Sequence, residues 1–197
     1  KLKKQLILVL LWGGFQGVLG WVMVKSGLVD NPHVSHYRLA AHLVTAIGLM
    51  CFIYWIALSV KNIGTKHTSD KSIYKLTRNF IVVVFLQIIY GAFVAGLKAG
   101  LMYNTFPKMG ADWLPAETSL MLERNGLMAF LESGGLVQLV HRIIAYVLFG
   151  FGVYYLVKLK SVKSELKSSI ILVVGALGLQ ITLGILTLLM AVPVSLG

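Results

Sequence analysis

Apolar residues run almost unbroken through five stretches of the chain, roughly 5–24, 39–60, 79–97, 136–157 and 169–192. Each is close to the about 20 residues that an α-helix needs to cross a bilayer core. A soluble core helix keeps a polar face, and these runs stay apolar all round. Lipid leaves the backbone no outside partner, so each run is predicted to be a helix. A membrane barrel would instead show alternating strands of about 10 residues, and no such segments occur. The fold class predicted is all-α, a polytopic membrane helical bundle with five transmembrane helices.

The polar connections between the runs carry an orientation. Lys1, Lys3 and Lys4 precede the first run. Lys61, Lys66, Lys71, Lys75 and Arg78 separate the second from the third. Lys158, Lys160, Lys163 and Lys167 separate the fourth from the fifth, so one side of a five-span chain holds 12 of the 18 basic residues. By the positive-inside rule that side is the cytoplasm or matrix. Lys25, Arg38, Lys98, Lys108, Arg124 and Arg142 fall to the other side. The longest connection, 98–135, is on that outer side and contains Tyr103, Phe106, Pro107, Trp113 and Pro115. Connections of this length are usually functional or disordered, and Trp and Tyr also suit a plain interfacial segment.

Composition agrees with the pattern. The 197 residues are 57% hydrophobic and 13% charged, with a mean hydropathy of +0.82. Soluble domains carry about 25% charged residues. The formal charge of +11 does not imply nucleic acid. The cations sit in connections beside apolar runs rather than along one exposed face. The lone Cys51 excludes an internal disulfide and a cysteine-based metal site. A chain that begins at Lys1 and ends at Gly197, just after an apolar run, is expected to be the central piece of a longer protein.

A short pattern recurs in the odd-numbered spans. Gln16 is followed by Gly20, Gln87 by Gly91, and Gln180 by Gly184. The i, i+4 spacing places each Gln and Gly on one helix face. Small residues there allow close helix approach, and Gln can hydrogen-bond across the contact. The even-numbered spans carry His42 and His141 instead. The alternation reads as a duplicated helical unit; coincidence between glycine-rich membrane helices is the competing account.

Ionisable residues within spans are costly and usually face the bundle interior. His42 follows Arg38 by one turn, with Thr45 on the same face. His141 stands beside Arg142, with Gln138 and Ala145 on its face. A neutral imidazole is a haem axial ligand, and a guanidinium can pair with a propionate. A histidine hydrogen-bonded between helices fits the same positions. His33 and His36 make a short pair without carboxylates, a weak metal signal. His67, in a lysine-rich connection, reads as solvated.

Longer motifs resemble one family. Trp21-Val22-Met23-Val24-Lys25-Ser26-Gly27-Leu28 and Val34-Ser35-His36-Tyr37-Arg38-Leu39-Ala40-Ala41-His42-Leu43 are similar to the haem A synthases, in the branch shared by mitochondria and alphaproteobacteria. So are Gly91-Ala92-Phe93-Val94-Ala95-Gly96-Leu97, Tyr103-Asn104-Thr105-Phe106-Pro107-Lys108-Met109-Gly110, Val137-Gln138-Leu139-Val140-His141-Arg142 and Leu179-Gln180-Ile181-Thr182-Leu183-Gly184-Ile185. The similarity runs along essentially the whole chain. It departs at Lys98, where many relatives have an acidic residue.

The resemblance implies an eight-helix protein of two related four-helix halves, each with a pair of haem-ligating histidines. Residues 1–60 would end the first half, 61–78 would be an inner loop, and 79–197 would begin the second half. The activity implied is oxidation of a haem O methyl group to the formyl group of haem A. His42 would be catalytic, ligating the substrate haem iron. His141 would ligate a haem b electron relay, with Arg38, Arg142 and Gln138 as further cofactor-binding residues. The second histidine of each pair would lie outside this chain, which alone is then expected to be inactive. The partners implied are haem O synthase and cytochrome oxidase assembly factors, in a bacterial plasma membrane or mitochondrial inner membrane. A di-haem b, quinone-linked electron-transfer subunit shares the histidines and the topology. A transporter or haem carrier would need a polar midplane cluster, which these spans lack.

Overall fold

The computed structural model describes residues 2–28, 35–61, 71–158 and 164–193. His33 and His67 lie outside the described residues. Five long helices account for the apolar runs: α1 (Leu2–Leu28), α2 (His36–Val60), α3 (Lys71–Gly96), α6 (Gly134–Lys158) and α7 (Ser164–Leu189). Each contains a stretch of at least 24 residues long and apolar enough to span a membrane. The outward faces of Leu10, Leu11, Met50, Tyr54, Ile81, Phe149 and Leu172 stay more than half exposed, as lipid-facing side chains do. The chain is a multi-pass integral membrane protein.

The third helix begins at Lys71, eight residues before the apolar run that predicted it. Lys71, Lys75 and Arg78 therefore ride on its first turns instead of a loop. Lysine and arginine are good helix formers, and their long stems let charge reach the interface from inside a helix. At its other end, the Leu97 and Lys98 N–H groups bond back to Phe93 and Ala95. Lys98 then turns left-handed, with φ 51°, which ends the helix.

The outer connection is not featureless. A 3-10 turn (Ala99–Leu101), α4 (Thr118–Asn125), a second 3-10 turn (Gly126–Met128) and α5 (Ala129–Glu132) fill it.

The helices pack as two compact units, Lys1–Leu76 and Thr77–Gly197, with the division inside α3. In the first unit α1 and α2 run antiparallel. Trp12 lies over Gly48, where a Cβ would sit 3.1 Å from its ring, and its centroid is 6.1 Å from that of Phe52. Further along, Gln16 meets Thr45 and Gly20 meets His42. In the second unit α6 is the centre: a third of its span is buried, far more than in any other span. Leu177 of α7 packs on Gly152, close enough that a Cβ there would sit 3.1 Å away. On its α3 side, the Tyr155 hydroxyl bonds Thr77 at 3.0 Å and Phe80 sits edge-on to Tyr155 and Phe151.

Candidate functional site

The two intramembrane histidines share one setting. In the first unit the ring of His42 lies against Gly20, whose added Cβ would stand 3.4 Å from His42 Cε1. In the second unit His141 lies against Gly91 with the same 3.4 Å spacing. Glycine thus lets each ring approach the neighbouring helix closely. One turn before each glycine stands the glutamine of the repeat, Gln16 or Gln87. The Gln-x-x-x-Gly face of an odd-numbered span is therefore the surface that receives a histidine from the following span. The third copy, Gln180 to Gly184 on α7, faces no histidine among the described residues: Gln180 is exposed, and a Cβ at Gly184 would meet nothing within 4 Å.

The settings differ in one bond. Gln87 places its amide nitrogen 3.1 Å from His141 Nε2. In the tautomer with its proton on Nδ1, the ring accepts this bond at Nε2. Gln16 instead donates to the Thr45 hydroxyl at 2.9 Å and to the His42 carbonyl at 3.3 Å. Thr45 in turn bonds the carbonyls of Ala41 and His42. In both rings Nδ1 is buried without a hydrogen-bond partner.

His42 lines an open groove of about 330 Å³ with Gln16, Ala46, Leu49, Met50 and Ile53. That volume is at the lower end of the about 300–1,000 Å³ typical of small-molecule sites. An imidazole on a mostly apolar groove is a residue that could ligate a haem iron. Among the described residues no three His, Cys, Asp or Glu side chains converge to hold a metal ion directly. His36 starts α2, apart from this groove's lining.

The remaining sequence-picked residues take other positions. Arg38 is exposed one turn before His42. Gln138 and Arg142 are buried, 3% and 8% exposed, and turn away from His141 toward the outer connection. Arg142 donates to the carbonyls of Tyr103 at 2.9 Å, Lys108 at 3.0 Å and Pro107 at 3.3 Å. Gln138 donates to the same Tyr103 carbonyl at 3.0 Å. Phe106 lies against Tyr146, ring centroids 6.2 Å apart. Residues 138, 142 and 146, at i, i+4 and i+8, thus form a stripe that seats residues 103–108, while His141 belongs to the stripe that meets α3. Arg142 Nε and Gln138 Oε1 remain buried without partners.

Sequence reasoning named Tyr103 and Asn104 but not Glu117, nor the partners that hold this segment. The Tyr103 hydroxyl donates to Glu117 and accepts from the Ala116 N–H at 3.1 Å. Burial and the Glu117 hydrogen bond raise the Tyr103 pKa above its usual value. Asn104 ties the segment to α7 by donating to the Leu188 carbonyl at 3.0 Å, and to Gly100 at 2.7 Å. The signal available was polar character alone, which does not name a partner.

Fold and site together define a polytopic membrane protein with two intramembrane histidines, each set against a glycine of the neighbouring helix. The whole chain, residues 1–197, matches the model of the COX15-CtaA family, described as cytochrome oxidase assembly protein, and the chain belongs to that family. It is 40% identical to a "Heme A synthase" of Nitrosospira multiformis, over 96% of this chain and 54% of that protein. It is 40% identical to "Heme A synthase COX15" of Arabidopsis thaliana, over 94% and 43%, and 42% identical to that of Bos taurus, over 93% and 46%. The chain spans about half the length of these curated relatives. No solved structure matches it.

Proposed function

We propose that the full-length protein is a haem A synthase, oxidising a methyl group of haem O to the formyl group of haem A. The observation that carries the reading is the His42 imidazole on its apolar groove, cradled by Gly20 and, among the described residues, with no side chain hydrogen-bonded to its ring. Family membership and the activity named for the relatives support it.

In this reading His42 would hold the iron of the substrate. Ala46, Leu49, Met50 and Ile53 exclude water from its faces. His141 holds a haem b, which when bound would supply one-electron transfer. Arg38, exposed and without a partner among the described residues, is the propionate candidate of the first site. Arg142 has its terminal nitrogens committed to backbone carbonyls, which leaves Nε for such a contact. Each iron would take its second imidazole from a part of the protein beyond these 197 residues, so the chain alone is expected to be inactive.

The test is co-expression of the full-length protein with a haem O synthase in a host lacking haem A, followed by chromatography of extracted haems. A haem A peak that disappears in His42→Ala is the expected result. The equal Gln and Gly settings of the two histidines favour one other reading, a di-haem b electron-transfer subunit. Haem b alone, with neither haem O nor haem A, would establish that reading and refute the synthase.

A further inference from the structure

The two histidine settings share the glycine against the ring, the glutamine four residues before it and an alanine four residues after the histidine, and among the positions where they differ is the third residue after the histidine. Three residues after His42 stands Thr45, then Ala46. Three residues after His141 stands Ile144, then Ala145. Gln16 and Gln87 approach from equivalent places, each four residues before a glycine that touches the ring. Where a hydroxyl is available the glutamine is drawn to it, at 2.9 Å. Where an isoleucine stands instead, the glutamine amide rests on the ring nitrogen, at 3.1 Å. A buried amide takes an available partner because leaving its donor unmade is costly, so the residue at this position decides which partner it takes.

The consequence is chemical. The Gln87 amide stands 3.1 Å from Nε2 of His141, and a metal reaches that nitrogen only by displacing the amide. Among the described residues no such bond stands in front of the His42 ring. We propose that Thr45 is a positioning residue that holds Gln16 off the His42 imidazole, keeping it open to an exchanging iron tetrapyrrole, whereas Gln87 latches His141 until a retained one displaces it. The inference rests on the haem reading above. A site that loads substrate and releases product each cycle is hindered by a competing hydrogen bond at every loading. A site loaded once meets that bond once, and until then the latch keeps the imidazole from stray metal.

The experiment is a hemin titration of the full-length apoprotein in detergent, followed at the Soret band, with association rates by stopped flow. His141→Ala isolates the first site and His42→Ala the second. In the first background, Thr45→Val should weaken hemin binding and slow its association, each by roughly three- to tenfold, the worth of one net hydrogen bond. Thr45→Ser should keep the parent values. Gln16→Leu added to Thr45→Val should restore them, which a packing defect would not do. In the second background, Gln87→Leu and Ile144→Thr should each tighten and speed hemin binding by a similar factor. Hemin binding within twofold of the parents in Thr45→Val, Gln87→Leu and Ile144→Thr would overturn the latch while leaving the haem reading intact. Failure of both parents to bind hemin would overturn the haem reading and the latch with it.

Discussion

Replacing Arg142 with leucine should release the outer segment from α6. The guanidinium makes two bonds of good length, to Tyr103 and Lys108, and a longer one to Pro107. Hydrogen bonds to a charged group contribute about 1.5–3 kcal/mol each. The cost in this variant falls below their sum. The Tyr103 carbonyl keeps its bond from Gln138, and Pro107 and Lys108 are exposed, so water can satisfy their carbonyls. About 2–4 kcal/mol remains, equivalent to roughly 30- to 1,000-fold in the opening equilibrium of the segment. Hydrogen exchange measures that equilibrium directly. The reporters are the Met109 N–H, bonded to the Asp112 carbonyl at 2.8 Å, and the Gly110 N–H, bonded to the Thr105 hydroxyl at 2.7 Å. Both should exchange faster by that factor in the full-length protein, while amides in the middle of α6 keep their protection. Arg142→Lys should fall between, because an ammonium cannot reproduce the planar fork. Gln138→Leu, which loses one neutral bond, should accelerate exchange only about three- to tenfold. Exchange of Met109 and Gly110 within threefold of wild type in a folded Arg142→Leu protein would refute the seat. Haem loss in the same variant without faster exchange would return Arg142 to the role of propionate partner.

Further outcomes follow from the same geometry. Gly91→Ala should keep haem bound, since its Cβ meets His141 Cε1 at contact distance, 3.4 Å; Gly91→Leu should displace the ring, and a bound-haem spectrum unchanged in Gly91→Leu would contradict the cradle. Tyr155→Phe and Thr77→Val should each lower stability by about 1 kcal/mol, and the double variant by no more than either, because they share the single 3.0 Å bond; additive losses in tryptophan-monitored unfolding would show otherwise. Tyr103 binds its proton more tightly folded than unfolded, so its contribution is complete below the ordinary tyrosine value of about 10. It is lost as pH rises from there through the raised folded value, because a phenolate cannot donate to Glu117. Segment 103–117 should therefore loosen at high pH in wild type more than in Tyr103→Phe, by hydrogen exchange at the Ala116 amide.

The five spans were legible because lipid imposes a requirement visible in composition: about 20 apolar residues without a polar face. Their limits were less so. The start of α3 was missed because hydropathy drops at Lys71, Lys75 and Arg78 while helix propensity does not. The outer connection was opaque for a different reason. Its conformation is set by Arg142 and Gln138, which reach it across 34 and 35 residues of sequence, and by its own Asn104, which reaches out to Leu188, 84 residues on, and no local pattern encodes such partners. Gln138 and Arg142 were picked for their nearness to His141 in sequence. On a helix, neighbours at i+1 point about 100° apart, which is how Arg142 came to serve the loop stripe while His141 serves α3.

The glutamine repeat lies between these cases. Its i, i+4 face was readable, and so was the capacity of Gln to bond across a helix contact. Which helix it faces was not, because one chain segment says nothing of its neighbour's register. Once α1 is set against α2, and α3 against α6, the repeat and the histidines become two halves of one device. Thr45 then changes meaning. In the sequence it is a small polar residue on the His42 face, of a kind that often bonds back to its own helix. Beside Gln16 it becomes the group that decides whether the imidazole is engaged. Two sites with the same ligand, the same glycine and the same glutamine can thereby bind on different terms. The matching position in α6 carries an isoleucine, an ethyl group where threonine has its hydroxyl, and Gln87 rests on its histidine.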